Sequence, residues 1–256
     1  MSNLFWLTDE QMERLKPFFP KSHGRPRVDD RRVLSGIIFI NRNGLRWCDA
    51  PREYGPPKTL YNRWKRWGDM GVFARMMEGL ASEGGEEKVV MIDATYLKAH
   101  RTASSLRAKK GGGDDQRGRL IGRTKGGLNT KLHAVTDARG RPLRFFMTAG
   151  QVSDYTGAAA LLGSLPAAEW LIADRGYDAD WFRDALKDKG IRPCIPGRKS
   201  RGKAVRYDRR RYKRRNRIEI MFGRLKDWRR IATRYDRCAK TFLSAVVLAA
   251  TVLFWL

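Results

Sequence analysis

Three carboxylates in this sequence stand where a carboxylate is costly. Asp93 closes the apolar run VVMID, Asp174 closes WLIAD, and Glu219 lies inside RRYKRRNRIEIMFGRLKDWRR, a segment crowded with bases. A lone ionised carboxylate beside buried apolar residues costs on the order of several kcal/mol. Adjacent strand ends would put Asp93 and Asp174 on one rim of a sheet, where two anions repel unless a cation sits between them. Mg²⁺, a hard ion that takes carboxylate oxygens, is the natural choice. Each aspartate also has an ordinary reading as a turn former or helix cap, and Arg175-Gly176 after Asp174 suits a turn. Asp137, Asp154, Asp178 and Asp180 stand at turns or helix starts and are read that way.

Glu219 has no such turn around it. At about 100° per residue of helix, Tyr212, Arg215, Glu219 and Lys226 fall within an arc of about 60°. Ile218, Phe222 and Leu225 form the neighbouring apolar stripe, which would dock the helix and fix the arc in space. The arc then presents one carboxylate for metal between cations that can grip phosphates. A solvated helix with ion pairs four residues apart also explains the glutamate, but not the arc beside the stripe.

These residues need a scaffold. Up to about residue 81 the chain reads as helices, with Thr8-Asp9-Glu10-Gln11 at capping-box spacing and a helix over 29–43 capped by Gly44. Pro56 and Pro57 open a further helix in which Lys58, Arg63, Lys65 and Arg66 alternate with Tyr61, Trp64 and Trp67. It suits the reader of a helix-turn-helix, or equally a surface helix with aromatics inward and bases in water. The polar break at 82–87 marks a boundary, giving a helical DNA-binding domain over 1–84 and a second domain over 85–256.

Beyond the break the pattern alternates strand and helix. A strand ends near Asp93, residues 102–127 read as a long mobile loop, and KLHAVTDARGRPLRFFMTAG reads as a hairpin turning at 138–141. Then come a helix over 156–165, a strand over 170–173, a helix over 179–189, a strand over 191–195 and a long basic helix near 209–230. This order predicts a mixed α/β sheet with helices on its faces and matches a ribonuclease H-like core. The apolar 242–256 run is shorter than the ~20 residues of a membrane span and is read as a buried last helix.

The formal net charge of +26, from 53 basic and 27 acidic side chains, points to a polyanionic partner, with nucleic acid first. Residues 198–237 alone hold 18 Lys or Arg against 4 Asp or Glu, so phosphate contact there should be extensive and salt-sensitive. Arg123, Lys125 and Lys131 are further candidate DNA contacts. Three scattered cysteines offer neither a disulfide framework nor a Cys-x-x-Cys zinc site, and the N-terminus lacks the pattern of a signal peptide. A reducing, cytoplasmic setting beside a bacterial nucleoid, with no membrane contact, is the expectation. His23, His100 and His133 are read as structural or DNA-facing.

The spacing Tyr212-x2-Arg215-x3-Glu219-x6-Lys226 resembles the signature around the catalytic glutamate of bacterial insertion-sequence transposases of the DDE class. ADRGYD (173–178) and MIDATYLKAHR (91–101) resemble the segments bearing their two aspartates. RWCDAPREYGPPKTLYNRWKRW and IGRTKGGLNTKLHAVTDARG resemble the insertion sequence five family in particular, and the resemblance runs from Leu7 to Leu256. It implies a ribonuclease H-like catalytic domain behind a small all-α, helix-turn-helix-like domain. Asp93, Asp174 and Glu219 would bind two Mg²⁺ ions, with Mn²⁺ as substitute. Arg215 and Lys226 would contact phosphates of the element end, and Tyr212 would position the DNA or the triad. The implied partners are double-stranded DNA, as terminal inverted repeats and target, and a second protomer on the DNA. The implied reaction cuts the element end and joins its 3′-hydroxyl to target DNA. A transposase-derived DNA binder without catalysis and a structure-directed nuclease on the same core are the competing readings.

Overall fold

The computed structural model describes residues 4–21, 28–85, 88–105 and 119–256. Its N-terminal part is helical for the local reasons the sequence suggests. In α1 (Asp9–Leu15) the Thr8 hydroxyl accepts from Gln11 N–H while the Gln11 side chain accepts from Thr8 N–H. Helix α2 (Asp30–Asn43) starts under the Asp29 carboxylate, which accepts from Arg31 N–H, and stops at Gly44, whose φ of 68° suits glycine. Helices α3 (Pro57–Asp69) and α4 (Val72–Ser82) follow, and their Leu60, Trp64, Trp67, Phe73 and Met76 are all buried.

A seven-stranded mixed sheet carries the rest, with path order β2-β3-β1-β5-β6. Strand β1 (Val89–Ala99) runs antiparallel to β3 (Gly127–Thr136) and parallel to β5 (Trp170–Ile172). The hairpin partner β4 (Pro142–Ala149) pairs with β3, and β6 (Arg192–Cys194) with β5. Helices α6 (Asp154–Leu162) and α7 (Asp180–Asp188) cover one face, burying Val90, Ile92, Leu171 and Phe182 among themselves. The other face buries Met91, Leu97, Leu132 and Ile172 against α9 (Asn216–Lys226) and α11 (Ala239–Phe254).

Three local expectations change. The strand expected to end near Asp93 continues to Ala99 as β1, so Asp93 lies within it, while Asp174 stands just beyond the end of β5. The stretch expected as one loop over 102–127 contains the short helix α5 (Arg101–Ser104) and strand β2 (Gly122–Thr124), which hydrogen-bonds to β3; residues 106–118 lie outside the described ones. The long basic helix is instead α8 (Arg209–Tyr212), a 3-10 turn at Lys213–Arg215, α9, and then α10 (Arg229–Ala232). Residues 209–217 are mostly bases, and adjacent like charges disfavour a continuous α-helix there. After α10, β7 (Thr233–Arg234) adds a two-residue edge to β1.

The break at 82–87 separates α4 from β1, but the buried core crosses it. Trp67, Phe73 and Met76 share one apolar cluster with Met91, Ile218 and Val246, because α11 packs on both α3 and α4. The apolar C-terminal run is therefore internal glue, and among the described residues no helix is long and apolar enough to cross a membrane.

Candidate active site

The strand alternation aims Asp93. Met91 and Leu97 point to the α9 side of β1 while Val90 and Ile92 point to the α6 side, so Asp93, with the parity of Met91, faces α9. Parallel pairing sets Met91 opposite Ile172, and two residues further along each strand direction stand Asp93 and Asp174. Asp174 also does the ordinary job expected of it: its Oδ1 accepts from Gly176 N–H at 2.8 Å and caps a 3-10 turn at Arg175–Tyr177.

Helix α9 brings the third carboxylate over this rim. Ile218, Phe222 and Leu225 are buried beneath it, and Glu219, in its first turn, remains 56% exposed. Arg215 bridges the two elements, donating from Nη1 to Asp93 Oδ2 at 2.6 Å and from Nη2 to Glu219 Oε1 at 2.5 Å. Lys226 donates to Thr95 Oγ1 at 2.7 Å, on the same side of β1 as Asp93. The Tyr212 ring stands 6.0 Å from the Arg215 guanidinium carbon and packs edge-on to Tyr207. Of the predicted arc, Arg215 and Lys226 touch one side of β1 while Tyr212 and Glu219 stand beside Arg215, and a 3-10 turn interrupts their helix.

Burial pushes the Asp93 carboxyl up to about 6, against the pull of Arg215 and with a further push from Asp174. Desolvation of the Asp93 carboxylate thus outweighs the contact with Arg215. Among the described residues no three Asp, Glu, His or Cys side chains stand close enough to share one ion, since Arg215 occupies the space between Asp93 and Glu219. The donor chemistry nevertheless fits a hard divalent cation: three carboxylates, with Asp93 in β1 and Asp174 just past the neighbouring β5.

The other candidate contacts divide into two groups. Lys58, Arg66, Arg123 and Lys125 are exposed. Arg63 turns inward, pairing with Asp30 at 2.9 Å and stacking on Trp67, and Lys65 bonds to Thr241 of α11 at 3.1 Å. Lys131, expected at a phosphate, is buried because its ammonium is held by Asp154 and by Val152 O. His133 is buried against Thr148, His100 stacks on Tyr235, and His23 lies outside the described residues.

Sequence reasoning read Asp154 and Asp178 as residues of turns or helix starts. Asp178 is buried and accepts from Arg183 Nε, Arg201 Nε and Arg198 N–H, tying the loop after β6 to the turn that carries Asp174. The available signal was the conjunction ADRGYD, in which two aspartates flank a single tight turn. A cavity of about 640 Å³ lies elsewhere, between α4, β4 and the segment after α6, and none of the carboxylates lines it.

Two family descriptions match the chain in tandem: the IS4/5 family of proposed transposases over residues 7–77, and the transposase DDE domain over residues 84–254. A proposed transposase for insertion sequence element IS6501 of Brucella ovis is 38% identical over 130 residues, covering 50% of this chain and 99% of that protein. One for element IS402 of Burkholderia cepacia is 31% identical over 157 residues, covering 54% of this chain and 72% of its own. Among solved structures, a piggyBac transposase synaptic complex with hairpin DNA aligns over 97% of this chain and 72% of that one, with a TM-score of 0.53 at 7% identity. That likeness concerns the fold.

Proposed function

We propose, from the premise that this chain belongs to the transposase DDE domain family, that it binds the ends of an insertion sequence, cuts them and joins the 3′-hydroxyl to target DNA. Family membership makes it a DDE transposase, an enzyme that uses divalent metal. Mg²⁺ as that metal, two ions per site and assembly as at least a dimer on DNA are part of our reading. What supports it is the rim: Asp93 inside β1 and Asp174 just past the end of the parallel β5, with Glu219 of α9 tied to Asp93 through Arg215.

Asp93, Asp174 and Glu219 would hold the ions. Bound there, divalent cations supply activation of the attacking oxygen and charge for the leaving one in an in-line displacement at phosphorus. The chain's own groups do the rest. The β1 backbone fixes Asp93, and the turn after β5, anchored through Asp178, fixes Asp174. Arg215 neutralises Asp93 and Glu219 in the free protein and, once released, offers a guanidinium to a phosphate of the DNA end. Lys226, anchored at Thr95, presents its ammonium beside the same strand. Water serves as the first nucleophile and the freed 3′-hydroxyl as the second, so neither step needs a covalent protein intermediate. The bases exposed on α3, Lys58 and Arg66, are the better placed to read end sequence, as Arg63 and Lys65 serve the fold. Intact carboxylates at all three positions disfavour a retired, DNA-binding derivative.

The test incubates the protein with a labelled duplex carrying the element end and a supercoiled plasmid, in Mg²⁺ or EDTA. Metal-dependent nicking at the end followed by joining to plasmid is expected. Tight, end-specific binding without cutting in either Mg²⁺ or Mn²⁺ would contradict the reading.

A further inference from the structure

Tyr177 is only 1% exposed, yet its hydroxyl has no hydrogen-bond partner. A buried hydroxyl left unsatisfied costs roughly 1–3 kcal/mol, so native folds seldom keep one without use. Its surroundings are acidic. Tyr177 ends the turn that Asp174 caps, and that turn packs on the start of α6, where Asp154 lies. A Cβ built on Gly176 would stand 2.8 Å from Asp174 Oδ1 and 3.4 Å from Asp154 Oδ2, so the two carboxylates meet at the one residue of the turn that has no side chain.

Asp154 is itself held in place. Lys131 Nζ lies 3.1 Å from its Oδ1, donates to Val152 O at 2.6 Å and sits 5.0 Å from the Tyr96 ring centroid. The pair leaves Asp154 Oδ2 turned toward the Asp174 loop. A donor without a partner and a carboxylate oxygen facing Gly176 therefore belong to or adjoin the turn that carries Asp174.

We propose that Tyr177 and Asp154 are positioning residues for the divalent cation of the Asp93–Asp174 rim, hydrogen-bonding the water that stays on it without ligating it. Mg²⁺ gives up water reluctantly and is commonly held through one or two carboxylates, which leaves retained waters needing partners. Outer groups of this kind orient the ligands and set affinity. The inference rests on the metal-binding reading of Asp93 and Asp174.

Calorimetric titration of the full chain with Mn²⁺ tests it, comparing wild type, Tyr177→Phe, Asp154→Asn and Asp174→Asn, with the melting temperature of each metal-free protein. Tyr177→Phe removes one orphaned hydroxyl and keeps the ring, so its metal-free melting temperature should hold or rise while Mn²⁺ binding weakens about tenfold. A purely packing role moves neither. Asp154→Asn should weaken binding in the same direction; because it also loosens Lys131, Tyr177→Phe is the deciding variant. Wild-type affinity in Tyr177→Phe, with binding lost in Asp174→Asn, overturns the inference alone. Undiminished binding in Asp174→Asn overturns the metal reading beneath it.

Discussion

Arg215 and Asp93, 122 residues apart in sequence, meet at 2.6 Å, and the same guanidinium holds Glu219. One cation thus does in the free protein what a divalent ion would do in the working one: it keeps two carboxylates of the rim from repelling each other. Arg215→Ala should lower the stability of the metal-free protein by ~2 kcal/mol, below the value for a fully buried pair because Glu219 is exposed. The same variant should gain more melting temperature from added Mn²⁺ than wild type does. Equal thermal shifts in the two proteins would show that Arg215 and metal do not share the site.

Asp178 is the anchor of the loop that carries Asp174. Its side chain is fully buried among Arg183, Arg201 and the backbone of Arg198. Asp178→Asn leaves the half-matched Arg183 charge inside the fold and should cost ~3 kcal/mol in urea denaturation at neutral pH. A loss below about 1 kcal/mol would mean that the cluster is solvated in solution.

Helix α3 separates recognition from support. Replacing exposed Lys58 and Arg66 by Ala should reduce the preference for end DNA over random duplex in competition binding, with stability unchanged. Arg63→Ala should instead lower stability by ~1–2 kcal/mol, through loss of the Asp30 pair and the contact with Trp67. Loss of discrimination in Arg63→Ala without loss of stability would reverse these assignments.

His133 gives a pH signature. Burial lowers its pKa from 6.5 to about 4, so the unfolded chain binds the proton first. Its contribution to stability is therefore present above about pH 6.5 and is lost as pH falls toward 4, up to ~3 kcal/mol. Asp93, whose pKa is raised, works in the opposite sense over pH 4 to 6, and comparison with His133→Gln isolates the histidine. The variant should lose less stability than wild type between pH 7 and pH 4.5; parallel losses would contradict the assignment.

The starts of the strands leading to Asp93 and Asp174 were legible because an apolar run is a local pattern, although β1 continues past Asp93 to Ala99 on its pairing with β3, and so was α2, whose Asp29 cap and Gly44 stop lie within the helix's own reach. What sequence hid was pairing across distance. Periodicity marks Arg63 and Lys131 as bases near aromatic residues, but not that Asp30 and Asp154 capture them, 33 and 23 residues away. Strands of two or three residues, as in β2 and β7, are too short to show a period and exist only because β3 and β1 offer free edges. The break between α8 and α9 falls in a run of bases whose adjacent like charges disfavour a continuous α-helix.

In our proposal Asp93, Asp174 and Glu219 act through metal on DNA. The most direct measurement supplies a pre-cut element end with a free 3′-hydroxyl and a supercoiled plasmid to wild type and to Glu219→Gln, in Mn²⁺, after matching the two proteins for binding to that end. The wild type should join the end to the plasmid, and the variant should bind equally and join at least ~100-fold more slowly. Joining by Glu219→Gln at the wild-type rate would remove Glu219 from the chemistry and contradict the account.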